Sequence, residues 1–442
     1  MSPAQAHVNS FMAWAKENAV DIKSVSPLQD DGDDLRAVAA AIGEDIKIVA
    51  LSEGCHNSRQ MMSLHHRIVC HLVEHCGFNV IATETGLPES KLIYDYVQNC
   101  PVKDVEVMYG SGLNKMYSEW QEGRELVEWM RLYNQKHGNK LHYHGLDIGG
   151  FYDNWKLPMD LVYAYLKSVD PEFDQTLEEK LAPFLNVMSE KATKNYNEKL
   201  SALERTQMAI HLQEAVEHFD RNEEEYVSRS VNRSEFEWAR QSLISMRLAE
   251  HYYREILDIK TSKRPLFSGQ NGRETAMHQN MMWVLETRKR QLRPGEKLRV
   301  IWINHVIHTK METQYHNNNW RFLTPAGQMI SEAVGREKVF VIGMAYAKGS
   351  YWRNWQRGAD SRSVDVVPES KGGGDGLEPI LSAVRRSNYF LHLDQMPAQC
   401  SPFSNSALWV RENDYFIKIA LKEWNACIYL NETDPATPHS EK

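Results

Sequence analysis

Residues 46–86 read IKIVALSEGCHNSRQMMSLHHRIVCHLVEHCGFNVIATETG. An apolar run, Ile46 to Leu51, stops just before Glu53 and His56. From Ser58 to Cys76 the pattern changes. Met61, Leu64, Ile68, Leu72 and Val73 recur at helical spacing, and Gly77 stands where a left-handed cap would close the helix. A second apolar run, Val80 to Thr83, then leads into Glu84. The stretch reads as strand, helix, strand, with an acid at the end of each strand.

The same unit recurs outward from there. A helix is expected after Glu84 with Pro88 at its first position, and another from about Ser118 to His137, closed by Gly138. Leu141 to Leu146 is a third strand, ending at Asp147. Much later, Leu298 to Ile303 is a fourth, followed by Asn304, His305 and His308. Buried strands alternating with amphipathic helices imply an α/β fold, a mostly parallel central sheet flanked by helices. Ligands in such sheets bind outside the carboxyl ends of the strands. Four strands that deliver carboxylate and imidazole to one edge therefore predict an active site there, against the plainer reading that strand ends are polar because they meet water.

The remaining chain divides by character. Residues 1–150 form the first part of the α/β core, opening on a short amphipathic helix with Phe11, Met12 and Trp14 and an acidic loop at Asp30 to Asp34. Residues 151–260 are dense in charge and helical in pattern, with no convincing strand, and read as a helical insertion or cap. Residues 261–442 return to the core. They hold a helix from Glu274 to Arg290, strands at Val339 to Ile342 and Ala426 to Leu430, and a glycine-rich flexible loop at Lys371 to Gly374. A disordered tail is expected beyond Asn431.

Composition narrows the function. The 442 residues carry a net charge of −8, which argues against a general nucleic-acid binder. No run approaches the ~20 apolar residues of a membrane span, and the N-terminus lacks a signal-peptide pattern, so a soluble, cytoplasmic protein is expected. Six cysteines without a CxxC pair do not make a disulfide framework. P-loop, GxGxxG and GxSxG motifs are lacking, so no cofactor and no serine-nucleophile elbow are expected. The partner this leaves is a small-molecule substrate.

Each candidate residue has a chemical reason and a plainer alternative. His56 beside Glu53 is the arrangement of a general base, since the carboxylate fixes the tautomer and stabilises the imidazolium. The alternative is a loop histidine beside a capping acid. His305 and His308 could share one face of a helical turn and bind substrate or relay protons. With Glu53 or Glu84 they would also suit zinc, although HExxH is missing and no metal is expected. Glu84 ends an apolar strand, where a carboxylate is paired, functional or in solvent. Asp147 ends another, or caps a turn. Arg273 could clamp a substrate oxyanion or pair with Glu84. Cys55 as a nucleophile activated by His56 is disfavoured, because adjacent side chains rarely point the same way. Trp302, Trp320, Trp352 and Trp355 could line an apolar pocket or fill the core.

In their joint order these motifs resemble the erythromycin esterase family. Ser52-Glu53-Gly54-Cys55-His56-Asn57 is similar to its Gly-Glu-x-x-His-Gly motif, and Thr83-Glu84-Thr85-Gly86 to its next strand end. Trp129 to Asn134, Gly145-Leu146-Asp147, Arg273 with Met277 and Asn280, and His305-x-x-His308 have counterparts in sequence order, as do Asp375-Gly376-Leu377 and Trp424 to Leu430. The resemblance implies metal-independent hydrolysis of a macrolide lactone, and with it antibiotic resistance. It implies His56 as general base, Glu53 and Glu84 assisting, His305 and His308 flanking the ester, and Arg273, Asp147, His65 and Arg67 on the substrate. Ser52 and Asn57 replace two glycines of the motif, and Gln60 stands where the family often has Glu, which predicts a retuned cleft. A transferase or biosynthetic enzyme on the same scaffold, or a binding protein without chemistry, are the other readings.

Overall fold

The computed structural model describes residues 3–28, 33–150, 154–189, 191–262, 270–313, 323–352, 361–364, 376–385, 387–412 and 415–439. Its strands are β1 (Val20–Asp21), β2 (Ile48–Glu53), β3 (Val80–Gly86), β4 (His142–Asp147), β5 (Val300–His305), β6 (Val339–Trp352), β7 (Ser361–Val364), β8 (Tyr389–His392), β9 (Ala407–Glu412), β10 (Tyr415–Ala420) and β11 (Ala426–Thr433). The main sheet runs β1-β8-β11-β6-β2-β5-β3-β4, with β7 on β6, while β9 and β10 form a separate hairpin. The neighbours from β11 through β4 are all parallel, and β1, β7 and β8 join antiparallel. This is the mostly parallel α/β sheet read from the sequence.

Both faces of the sheet are covered, so the central strands β2, β5 and β6 are apolar along most of their length. Side chains alternate between faces. Val49, Leu51, Ile301 and Ile303 enter one core with the helices Asp33–Ile42, Arg59–Cys76 and Gln121–His137. Ile48, Ala50, Val300 and Trp302 enter the other, against the helices Pro3–Asn18 and Gln270–Gln291. Trp302 is therefore a core residue, not a pocket wall. Trp352 stacks on Trp120 at 5.7 Å. Trp320 and Trp355 lie outside the described residues, as do residues 30–32, Lys371 to Gly374 and Asp375.

Six helices, from Lys156–Val169 to Arg233–Ser262, surround a third core that includes Trp155, Leu166, Leu212, Phe219 and Tyr253. The helix Gln270–Gln291 lies between this layer and the sheet. Its Ala276 enters the third core, while Met277 and Met281 enter the second. Among the described residues, no helix is long and apolar enough to cross a membrane.

Local signals explain the element ends. The Ser58 side chain accepts from Met61 N–H, and Gly77 closes the same helix at φ 70°. The helix after Glu84 starts at Ser90 rather than beside Pro88. Residues 431–439, expected to be disordered, are instead paired with the rest of the fold. Strand β11 continues past Asn431 to pair Thr433 with Gly349. Asp434 O then accepts from Arg59 N (2.9 Å), Ala436 N donates to Asn57 O (2.9 Å), and His439 N donates to Glu119 O (2.9 Å). This segment is held because its backbone finds partners at Asn57 and Arg59 after β2 and at Glu119 and Gln121 before the helix Gln121–His137.

Candidate active site

Strands β2, β5, β3 and β4 lie side by side, so their carboxyl ends bring Glu53, His305, Glu84 and Asp147 to one edge. Glu53 and His305 are register partners. Between Thr83 and Gly86 the β3–β4 register shifts. Such a bulge re-aims a side chain, and Glu84 sits in it. Every one of these residues is buried.

The loop after β2 shapes the first half of the site. His56 Nδ1 lies 2.7 Å from Glu53 Oε1. A carboxylate can only accept, so Nδ1 carries the proton and the neutral ring has its lone pair on Nε2. His65 Nδ1 approaches the other Glu53 oxygen at 3.6 Å. The rings of His56 and His305 are 4.3 Å apart. Burial, and then the neighbouring His56, push His305 well below the usual histidine range, which keeps it neutral.

The two glycine replacements have structural reasons. Asn57 is left-handed at φ 57°, a conformation that asparagine tolerates nearly as glycine does. Its side chain accepts from Trp120 Nε1 (2.8 Å) and donates to Trp352 O (3.3 Å). Ser52 Oγ accepts from Thr309 Oγ1 at 2.6 Å. Gln60 does not face the cleft. Its amide donates to Asp434 (2.8 Å) and accepts from Asp434 N (2.5 Å), so this departure anchors the C-terminal segment.

Arg273 organises the second half. It donates to both oxygens of Asp147 (2.6–3.1 Å) and to Glu84 Oε1 (2.6 Å). Of its two sequence readings, the ion pair with Glu84 is the one formed. His308 Nε2 lies 3.6 Å from Glu84 Oε1, and its Nδ1 lies 2.5 Å from Glu274 Oε1. Burial opposes charge on His308, but Glu274 overcomes it and raises the pKa to about 10. Burial likewise opposes charge on Glu84, yet Arg273, His308 and His56 hold it well below the usual carboxylate range. Glu84 Oε2 has no hydrogen-bond partner among the described residues.

One expectation needs correction. Arg67 does not reach the cleft. Its guanidinium grips buried Asp34 in a fork (2.9 and 2.7 Å) and donates to Ser24 O, because a buried arginine needs a carboxylate and Asp34 is the one packed beside it. Glu274 was not singled out, although it adjoins Arg273. Besides holding His308, it accepts from Ala326 N at 2.8 Å. Asn280 was noted for its spacing alone; it donates to Leu146 O (2.8 Å) and receives Gln241 Nε2 (2.9 Å), pinning β4 to the helical layer. Cys55 is buried in the core. Among the described residues, no group of three or more His, Cys, Asp and Glu is arranged to hold a metal ion.

The fold is a mostly parallel α/β sheet that gathers carboxylates and imidazoles at the carboxyl ends of four adjacent strands, an arrangement able to carry acid–base chemistry. The chain belongs to the erythromycin esterase family, whose sequence profile matches residues 73–433. It is 30% identical over 166 residues to erythromycin esterase type II of Escherichia coli, spanning 37% of each chain, so just over a third of that relative's length is matched. A Bacillus cereus protein of solved structure superposes with a TM-score of 0.79 at 19% identity, over 98% of this chain and 99% of that one. A histidine-to-asparagine variant of the erythromycin esterase EreC, in its open conformation, superposes at 0.72 with 15% identity, over 93% and 97%. These likenesses support the fold, and family membership supports a hydrolase-like function at the level of the family.

Proposed function

We propose that this protein hydrolyses an ester or lactone, of macrolide type, with water activated by His56 and without a metal. The observation that carries this reading is the 2.7 Å contact between His56 Nδ1 and Glu53, which makes Nε2 the basic nitrogen. In the reaction, water gives its proton to Nε2 as its oxygen bonds to the acyl carbon. The tetrahedral oxyanion then expels the alkoxide, which takes the proton back from His56. Glu53 fixes the tautomer and stabilises the transient imidazolium. Such base catalysis supplies roughly 10²–10⁴-fold. Glu84 Oε2 is an acceptor for the attacking water, and neutral His305, its ring 4.3 Å from that of His56, can donate a hydrogen bond to the developing oxyanion. Arg273 and Asp147 act as positioning residues, since Arg273 spends its donors on the two carboxylates.

The test is mass spectrometry of the protein incubated with a macrolide panel, with and without chelator. A mass gain of one water that survives chelator and disappears in His56→Ala, with unchanged circular dichroism, is the expected result. Turnover retained by His56→Ala would refute the mechanism. Transfer of a group from a labelled donor without a hydrolysis product would instead favour a transferase.

A further inference from the structure

A cavity of about 830 Å³ opens at the other end of the sheet, beside the first residues of β3 and β4 and the segment entering β5. That is the size of a pocket for a small organic ligand. Its lining includes the cationic Lys140, Arg288, Arg293, Lys297 and Arg299, against only Glu44 and Glu296 as acids. The surplus is positive in a chain whose net charge is −8.

Helix C-termini gather at this end of an α/β sheet, and basic residues there often cap them. Arg299 does so. It donates to the carbonyls of Gly43 (2.6 Å), Ile46 (3.0 Å) and Cys76 (2.6 Å). Arg288 does not. It is only 4% exposed, and its NH1 meets the neutral acceptor His142 Nδ1 at 2.5 Å while NH2 donates to Gln291. Burial and the Arg288 charge push His142 down to about 3, so it offers a lone pair and no compensating charge. Arg288 Nε has no hydrogen-bond partner among the described residues. The Tyr94 ring lies 5.6 Å from the guanidinium, and the Tyr94 hydroxyl is a further, uncharged hydrogen-bond partner of the Arg288 side chain. The acid whose field reaches Arg288 is Glu237, but its carboxylate is engaged by Arg290 (2.6 Å) and Arg233 (3.1 Å). A buried cation ordinarily pairs with an anion.

We propose that this cavity binds a small molecule bearing a phosphate group, with the phosphate seated on Arg288. A planar guanidinium with a spare donor suits phosphate oxygens. Lys140 and Lys297 at the exposed mouth draw the anion in, and Val73, Phe78 and Leu141 offer apolar contact to the rest of the ligand.

Isothermal titration calorimetry of the full chain tests this, with phenyl phosphate, inorganic phosphate and chloride at matched ionic strength. Saturable binding of one phenyl phosphate per chain is expected, tighter than inorganic phosphate and absent for chloride. Arg288→Gln should weaken it about tenfold or more, the loss typical of charge-assisted hydrogen bonds. His56→Ala should leave it unchanged, which separates this site from the candidate active site. Heat that only follows ionic strength, or undiminished affinity in a folded Arg288→Gln variant, overturns the proposal. If Arg288→Gln does not fold, Lys140→Ala with Lys297→Ala at the surface decides, and unchanged affinity there refutes it.

Discussion

Replacing Glu274 by Gln changes one charge in the most tightly coupled part of the site. Glu274 Oε1 lies 2.5 Å from His308 Nδ1, and its other oxygen accepts from Ala326 N at 2.8 Å. Glutamine keeps the size and an acceptor for Ala326 but removes the charge that holds a proton on His308. At about 1.36 kcal/mol per tenfold change in proton affinity, raising that histidine from 6.5 to about 10 is on the order of 5 kcal/mol of linked stability. The folded pKa is above the unfolded one. The contribution is therefore complete below about pH 6.5 and is lost as pH rises through about 10. Within that window the folded chain holds a proton that the unfolded chain has released, so unfolding free energy falls by about 1.4 kcal/mol per pH unit. In Glu274→Gln, burial and Arg273 leave His308 neutral and this slope vanishes. Urea unfolding across the window should show the variant several kcal/mol less stable at the acid end, with the gap closing toward pH 10. Histidine resonances followed by NMR should place His308 near 10 in the parent and below 7 in the variant. A constant gap between the two stability curves would refute the reasoning.

Arg273→Met strands two buried carboxylates, Glu84 and Asp147. It should cost about 3–5 kcal/mol by urea unfolding, as for other broken buried pairs, with partial recovery on adding Asp147→Asn. Truncation after Asn431 removes the Asp434 contacts to Arg59 and Gln60. It should lower Tm in calorimetry, whereas an undocked tail would leave Tm unchanged. Asn57→Val forces a β-branched residue to φ 57° and should cost about 1–2 kcal/mol from the backbone alone, while Asn57→Gly loses only the Trp120 and Trp352 bonds, each worth about 1 kcal/mol. Both are read by urea unfolding.

Much of the site was legible because each catalytic candidate follows a strand that announces itself. Runs such as Ile48 to Leu51 and Val300 to Ile303 are apolar on both faces, so they mark buried parallel strands, and the polar residue that ends each run marks the edge where ligands sit. Strands β1, β7, β8, β9 and β10 escaped this reading. They are short or peripheral, and their pairing depends on neighbours distant in sequence. Arg67 shows the same limit. The family resemblance implied that it meets the substrate, but a helix has several faces, and the one carrying Arg67 meets Asp34.

The amino-acid sequence by itself determined the class of fold, the Ser58 and Gly77 ends of the helix Arg59–Cys76, and the set of acids and imidazoles at strand ends, because those follow from hydrophobic period and local capping. Only the tertiary structure decided who pairs with whom. That Glu53 meets His56 and His65, that Arg273 bridges Glu84 and Asp147, and that Glu274 charges His308 depend on the strand order β2-β5-β3-β4. Long-range pairing brings residues 53, 84, 147, 274 and 305 together, and electrostatics between side chains falls off with spatial distance, not with separation along the chain.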